Sequence, residues 1–112
     1  MISNRRVIRV AIMVSVLSAS FFLETAHGAD PERLKKGEVV FATHQCPICH
    51  TIKGKGGTVG PDLSKVGQRR DEAGLKKFLP DPQSVAPSTI MPPFKGSPQE
   101  LDDLVAYLQS LK

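Results

Sequence analysis

Only two cysteines occur in the 112 residues, tryptophan is missing, and aromatic side chains make up 5% of the chain. Two cysteines exclude a disulfide-stapled framework. So few aromatics provide no platform for stacked bases, and no stripe of lysine and arginine is dense enough to argue for nucleic acid. Alternating apolar and polar runs, the mark of half-buried strands, are almost absent. The chain has nine glycines but neither G-x-G-x-x-G nor G-x-x-x-x-G-K-[ST], so the usual phosphate cradles are excluded. There is no internal repeat and no low-complexity tract. One long apolar run is present, Val10 to Leu23, and its 14 residues fall short of the roughly 20 that a spanning helix needs.

That run follows Arg5, Arg6 and Arg9 and precedes the small residues Ala26 and Gly28, the pattern of a secretory signal cleaved before Ala29. The expected organisation is a signal peptide over 1–28 and one domain over 29–112, destined for the periplasm; retention of the apolar run as an anchor is the competing reading. The formal charge of +4 partly belongs to this leader, and the remainder carries 12 basic against 10 acidic residues, a net +2. A domain of about 84 residues buries only a thin apolar core by itself.

Both cysteines lie in Cys46-Pro47-Ile48-Cys49-His50, and C-x-x-C-H is the attachment motif of a c-type haem. The spacing has a chemical reason. Each thiol can add to one porphyrin vinyl group, and the adjacent imidazole is then placed to ligate the iron, a role that neutral histidine commonly fills. A buried haem also supplies the hydrophobic centre that the short chain lacks. Two other chemistries share these residues. A C-x-x-C pair serves thiol-disulfide exchange when neighbouring groups lower the first thiol's pKa, usually beside a βαβ pattern that is not evident here. His44, Cys46, Cys49 and His50 together offer zinc ligands, although adjacent ligands crowd a tetrahedron.

Helical signals flank the motif. Asp30-Pro31 reads as an N-cap with proline at the first helical position, opening a helix that runs toward Cys46 with Leu34, Gly37, Val40 and Phe41 on one buried face. Lys53 to Gly60, rich in glycine and lysine, reads as a mobile loop, and Gly60-Pro61-Asp62-Leu63 as a turn. Asp71 caps a short helix with Leu75, Phe78 and Leu79 inward, ended by Pro80. Prolines at 82, 87, 92 and 93 keep the next stretch extended. Ser97-Pro98-Gln99-Glu100 is a capping box, and it opens a last helix whose stripe is Leu101, Leu104, Val105, Leu108 and Leu111.

The motif after a first helix, then Gly-Pro-Asp-Leu, Met91-Pro92-Pro93-Phe94 and a terminal amphipathic helix resemble the bacterial class I, monohaem cytochrome c family over residues 31 to 111. The resemblance implies an all-α fold, a small cytochrome c-like domain of about three to four helices and long loops wrapped around one covalent haem. It implies that first and last helices cross near a small residue, with Gly37 and Phe41 matching Leu104 and Tyr107. It makes Met91 the sixth iron ligand, opposite His50, and the Pro61 carbonyl an acceptor for the second nitrogen of His50. Arg69 and Arg70 are candidate partners of the haem propionates, or else a solvated pair. The chain departs from the longer mitochondrial pattern, with 41 positions from His50 to Met91 and no tryptophan.

The activity this implies is one-electron transfer and not catalysis on a small-molecule substrate, since histidine and methionine would fill both axial places. The cofactor is haem c with iron, and the partners are redox proteins, a donor and an acceptor. Lys53, Lys55, Lys76, Lys77 and Lys95 are candidates for steering an acidic partner. The alternatives are a haem c subunit of a larger exported oxidoreductase or membrane complex, and a peroxidase-like ligand-binding haem protein with labile Met91.

Overall fold

Two helices with strong capping chemistry frame the domain. In the computed structural model, which describes residues 29–112, helix α1 spans Pro31–Thr43 and its N-cap Asp30 accepts from the Glu32 N–H. Helix α5 spans Pro98–Ser110 and opens on the capping box between Ser97 and Glu100. Between them lie α2 (Val66–Arg69), α3 (Glu72–Phe78) and α4 (Pro82–Val85), the first and last of these being single turns. The fold is all-α apart from a minimal hairpin, β1 (Thr51–Ile52) with β2 (Lys55–Gly56). The expected signal peptide over 1–28 lies outside the described residues. Among the described residues no helix is long and apolar enough to cross a membrane.

Helices α1 and α5 form the principal contact of the fold, and α5 also packs against α2 and α3. Gly37 makes the α1–α5 approach possible: a Cβ there would lie 2.5 Å from Tyr107 Cβ and would collide with the Asp103 carbonyl. Beside it Phe41 and Tyr107 meet with ring centroids 5.9 Å apart, within the range of favourable aromatic pairs. Leu104 and Val105 are each 1% exposed at the centre of a core that also holds Val40, Ile52, Val66, Leu75, Leu79, Leu108 and Leu111. Asp103 is buried in the same seam, where Gln99 donates to its Oδ1 at 3.0 Å and Arg33 Nε stands 3.5 Å away. Such partners offset the hydration a buried carboxyl group loses.

Two segments differ from the sequence expectation. The Lys53–Gly60 stretch, expected to be a mobile loop, begins as a hairpin in which Thr51 pairs with Gly56 and Ile52 with Lys55. Its two turn residues, Lys53 (φ 50°) and Gly54 (φ 78°), both take positive φ, as the tightest hairpin turns require. Lys53 tolerates this with its N–H held by Ser64 Oγ at 2.8 Å. The proline-rich stretch is not extended throughout: Asp81 caps the single turn α4, with Pro82 at its first position, the arrangement also found at Asp30-Pro31.

Candidate functional site

The Cys46–His50 motif is a tight loop built on its own backbone. Helix α1 ends at its C-cap His44, and Gln45 turns left-handed (φ 61°), which throws the chain into a 3-10 turn over Cys46–Ile48. The N–H groups of Cys49 and His50 both donate to the Cys46 carbonyl, at 3.2 and 3.0 Å. Both cysteines are free and half-buried, and Cys46 packs against the hydrophobic core. Burial pushes the Cys46 thiol up, and the nearby Cys49 adds to the effect. A thiol-disulfide centre needs the opposite shift, so this environment does not favour that chemistry.

His50 is oriented from two directions. Its Nδ1 lies 2.8 Å from the Pro61 carbonyl oxygen; since a carbonyl only accepts, Nδ1 carries the proton and Nε2 presents a lone pair. Gly60, one residue earlier, lies against the N–C–N side of the same ring and donates its N–H to the Cys49 carbonyl at 2.7 Å. Gly57 donates to the Pro47 carbonyl at 2.8 Å, and its carbonyl accepts from Thr51 Oγ1 at 2.7 Å. A side chain at Gly56 would strike the His50 carbonyl, and one at Gly57 the Ile48 carbonyl. The three glycines thus close the hairpin and its return onto the motif loop.

Met91 is half-buried and packs against the core with Phe94 and Leu63. Its N–H donates to Thr89 Oγ1 at 3.2 Å, and Phe94 N–H reaches the Leu79 carbonyl at 2.8 Å. Large apolar side chains remain exposed beside these residues: Ile48 at 65%, Val59 at 69% and Ile90 at 83%.

Other candidates are engaged elsewhere. Arg69 donates to the Asp62 carbonyl at 2.7 Å, and Arg70 stacks over Phe78, 4.4 Å from its centroid, while its carbonyl accepts from Gln109. Lys76 is doubly paired, with Glu72 at 2.8 Å and Asp102 at 3.0 Å. His44 faces Glu100 and Phe94. Among the described residues no three His, Cys, Asp or Glu side chains gather as a metal group, which leaves the zinc chemistry without a ligand set. The donors that remain are two half-buried thiols, an imidazole that presents its Nε2 lone pair, and a thioether on the core. That donor set suits a porphyrin held covalently with nitrogen and sulfur available to its iron.

The glycines and the His44–Phe94 contact were not legible as parts of the site. The glycine-rich composition of 54–60 was the visible sign of the first. The second joins residues 50 positions apart and has no local sign.

A family model described as "Cytochrome c" matches residues 34–112. The chain is similar to cytochrome c oxidase subunit 2 of Alkalihalophilus pseudofirmus, 34% identical over 86 residues, which cover 69% of this chain and 25% of that one. It therefore spans about a quarter of that relative's length. It is also 34% identical over 76 residues to a cytochrome c-553-like protein of Synechocystis sp., covering 68% of this chain and 67% of the other. Similarity to cytochrome c2 of Rhodopila globiformis is 34% over 106 residues, with coverage of 75% and 98%.

Proposed function

The chain belongs to the cytochrome c family, and from that premise we propose that it is an exported, periplasmic carrier of single electrons whose haem is attached at Cys46 and Cys49 and ligated by His50 and Met91. Membership makes it an electron-transfer haem protein with covalent haem c. When bound, that group supplies one-electron chemistry between ferric and ferrous iron. The chain's own residues do the rest. Cys46 and Cys49 would hold the group through two thioethers. Pro61 keeps the His50 proton on Nδ1, which fixes the ring and leaves Nε2 as the donor. The Met91 thioether, set on the core among prolines, would be the second protein ligand to the iron. With His50 and Met91 both bound to the iron, the protein would leave no coordination site open to a substrate. A methionine ligand and burial both favour the less charged reduced iron, so the potential should be fairly high.

The observation that carries this reading is the 2.8 Å bond from His50 Nδ1 to the Pro61 carbonyl, which prepares the imidazole as a ligand. The test is the absorption spectrum, in both redox states, of protein made with its leader and the haem-maturation machinery. A low-spin c-type spectrum with the weak ferric sulfur-to-iron band, lost in Met91→Ala, is expected. A high-spin spectrum would reject Met91 as ligand and favour a peroxidase-like protein. Export is checked separately by the mature N-terminus, expected at Ala29.

A second reading, a haem c subunit or domain of a larger oxidoreductase, draws support from the oxidase-subunit relative. Exposed Ile48, Val59 and Ile90 also offer apolar surface for a permanent neighbour. Co-purification from the native membrane or periplasm separates it from a free carrier working between a donor and an acceptor.

A further inference from the structure

His44 ties the two ligand-bearing parts of the chain together. It caps α1 just before Cys46, and both of its partners sit on the stretch leading from Met91 into α5. Its ring lies 4.5 Å from that of Phe94, tilted by 43°, and its Nε2 stands 3.6 Å from Glu100 Oε1. Glu100 is itself fixed, with Oε2 accepting the Ser97 N–H at 2.7 Å and its own N–H donating to Ser97 Oγ at 3.2 Å. Phe94 is fixed by its backbone bond to Leu79. Gly96 makes room for the Phe94 ring, since a Cβ there would come within 2.6 Å of Cε1. A histidine suits this place because one ring offers a flat face to an aromatic and a polar edge to a carboxylate.

Only Pro92 and Pro93 separate Met91 from Phe94. Each proline closes φ near about −65°, so few soft torsions lie between the thioether and the anchored ring. A shift of Phe94 therefore carries Met91 with it.

We propose that His44 is a positioning residue for Met91, clasping Phe94 and Glu100 so that the sulfur is held at its ligating place. The proposal rests on Met91 being the axial ligand. An external ligand binds only when Met91 has moved aside, and its apparent affinity scales with the fraction of molecules in that open state. Loosening the clasp raises that fraction.

The test is titration of the ferric holoprotein with imidazole, read by loss of the sulfur-to-iron band. His44→Ala should bind imidazole about tenfold more tightly than wild type, the order expected for one aromatic contact plus a half-exposed pair. His44→Phe, which keeps a ring against Phe94, should restore most of the wild-type affinity. Phe94→Leu, altering the clasp from its other side, should tighten imidazole binding as His44→Ala does, and it decides the matter if His44→Ala loads no haem. Arg33→Ala, which removes the ion pair to buried Asp103 and alters none of His44, Phe94 and Glu100, should lower the melting temperature and leave imidazole affinity unchanged. Wild-type affinity in His44→Ala, or in Phe94→Leu where that variant decides, overturns the proposal, as does equal tightening in Arg33→Ala. A wild-type protein without the sulfur-to-iron band instead removes the Met91 assignment itself, so the two failures are told apart before any variant is made.

Discussion

Gly60 and His50 are in direct contact: a methyl group on Gly60 would lie 2.5 Å from Cε1, 2.8 Å from Nδ1 and 3.1 Å from Nε2 of the imidazole. The ring has no freedom to yield without leaving the Pro61 carbonyl that holds its Nδ1. In Gly60→Ala the ring must tilt, the hydrogen bond weakens, and the imidazole becomes a poorer donor to ferric iron. The reduction potential should then rise, by about 40 mV if roughly 1 kcal/mol of hydrogen bonding is lost for one electron. Potentiometry on the loaded variant checks this, and an unchanged potential would show that the glycine only fills space.

The α1–α5 crossing predicts a different outcome for Gly37. A side chain there meets the Asp103 carbonyl and Tyr107 Cβ, both on the backbone side of a packed helix that cannot give way locally. Gly37→Val should cost about 2–3 kcal/mol by overpacking, which for a domain of this size lowers the melting temperature by roughly 10–20 °C. The absorption spectrum of the folded fraction at low temperature should match wild type, since no ligand segment is touched.

Acid stability has an identifiable contributor. The Ser97 N–H, and after it His44, hold the Glu100 carboxyl below its ordinary 4.5. A carboxyl lowered on folding stabilises the native state above its ordinary value, and that contribution fades as pH falls through the folded-state value. The melting temperature of wild type should therefore drop more steeply below pH 4.5 than that of Glu100→Gln. Thermal melts between about pH 6 and 3 read the difference, and parallel curves would rule Glu100 out.

Among the lysines, Lys76 is already bound to Glu72 and Asp102, whereas Lys53 and Lys55 lie on the exposed hairpin beside the motif. Oxidation of the ferrous protein by ferricyanide, an anion, should slow with added salt. Replacing Lys53 and Lys55 by glutamine should flatten that dependence, and Lys76→Gln should leave it closer to wild type. Equal slopes in both variants would place the steering field elsewhere.

The parts of the fold that could be read from sequence are those whose chemistry is local. Asp30-Pro31 and Ser97-Pro98-Gln99-Glu100 satisfy their own helix ends within three residues, and the five-residue motif carries both thiols and the imidazole without help from distant positions. What stayed hidden depends on neighbours far along the chain. Gly56, Gly57 and Gly60 matter for the side chains they do not have, and that has meaning only once the motif loop is placed against them. The same composition, unplaced, suggests mobility. Asp81-Pro82 carried the start signal of a helix, but the density of prolines around it pointed to extended chain; one turn fits before Pro87. Arg69 and Arg70 found a carbonyl and an aromatic face close by, partners that a count of charges does not reveal.

The hairpin divides into a part that cannot vary and a part that can. Its return strand is pressed onto the motif, but nothing lies within 4 Å of the space a side chain would occupy at Gly54, at the very tip. The tip is therefore the natural mooring for a surface tether. A linker inserted there, with Asn or Gly kept where φ is positive, would fasten the molecule to an electrode beside the Cys46–His50 loop, with the Met91 segment left untethered.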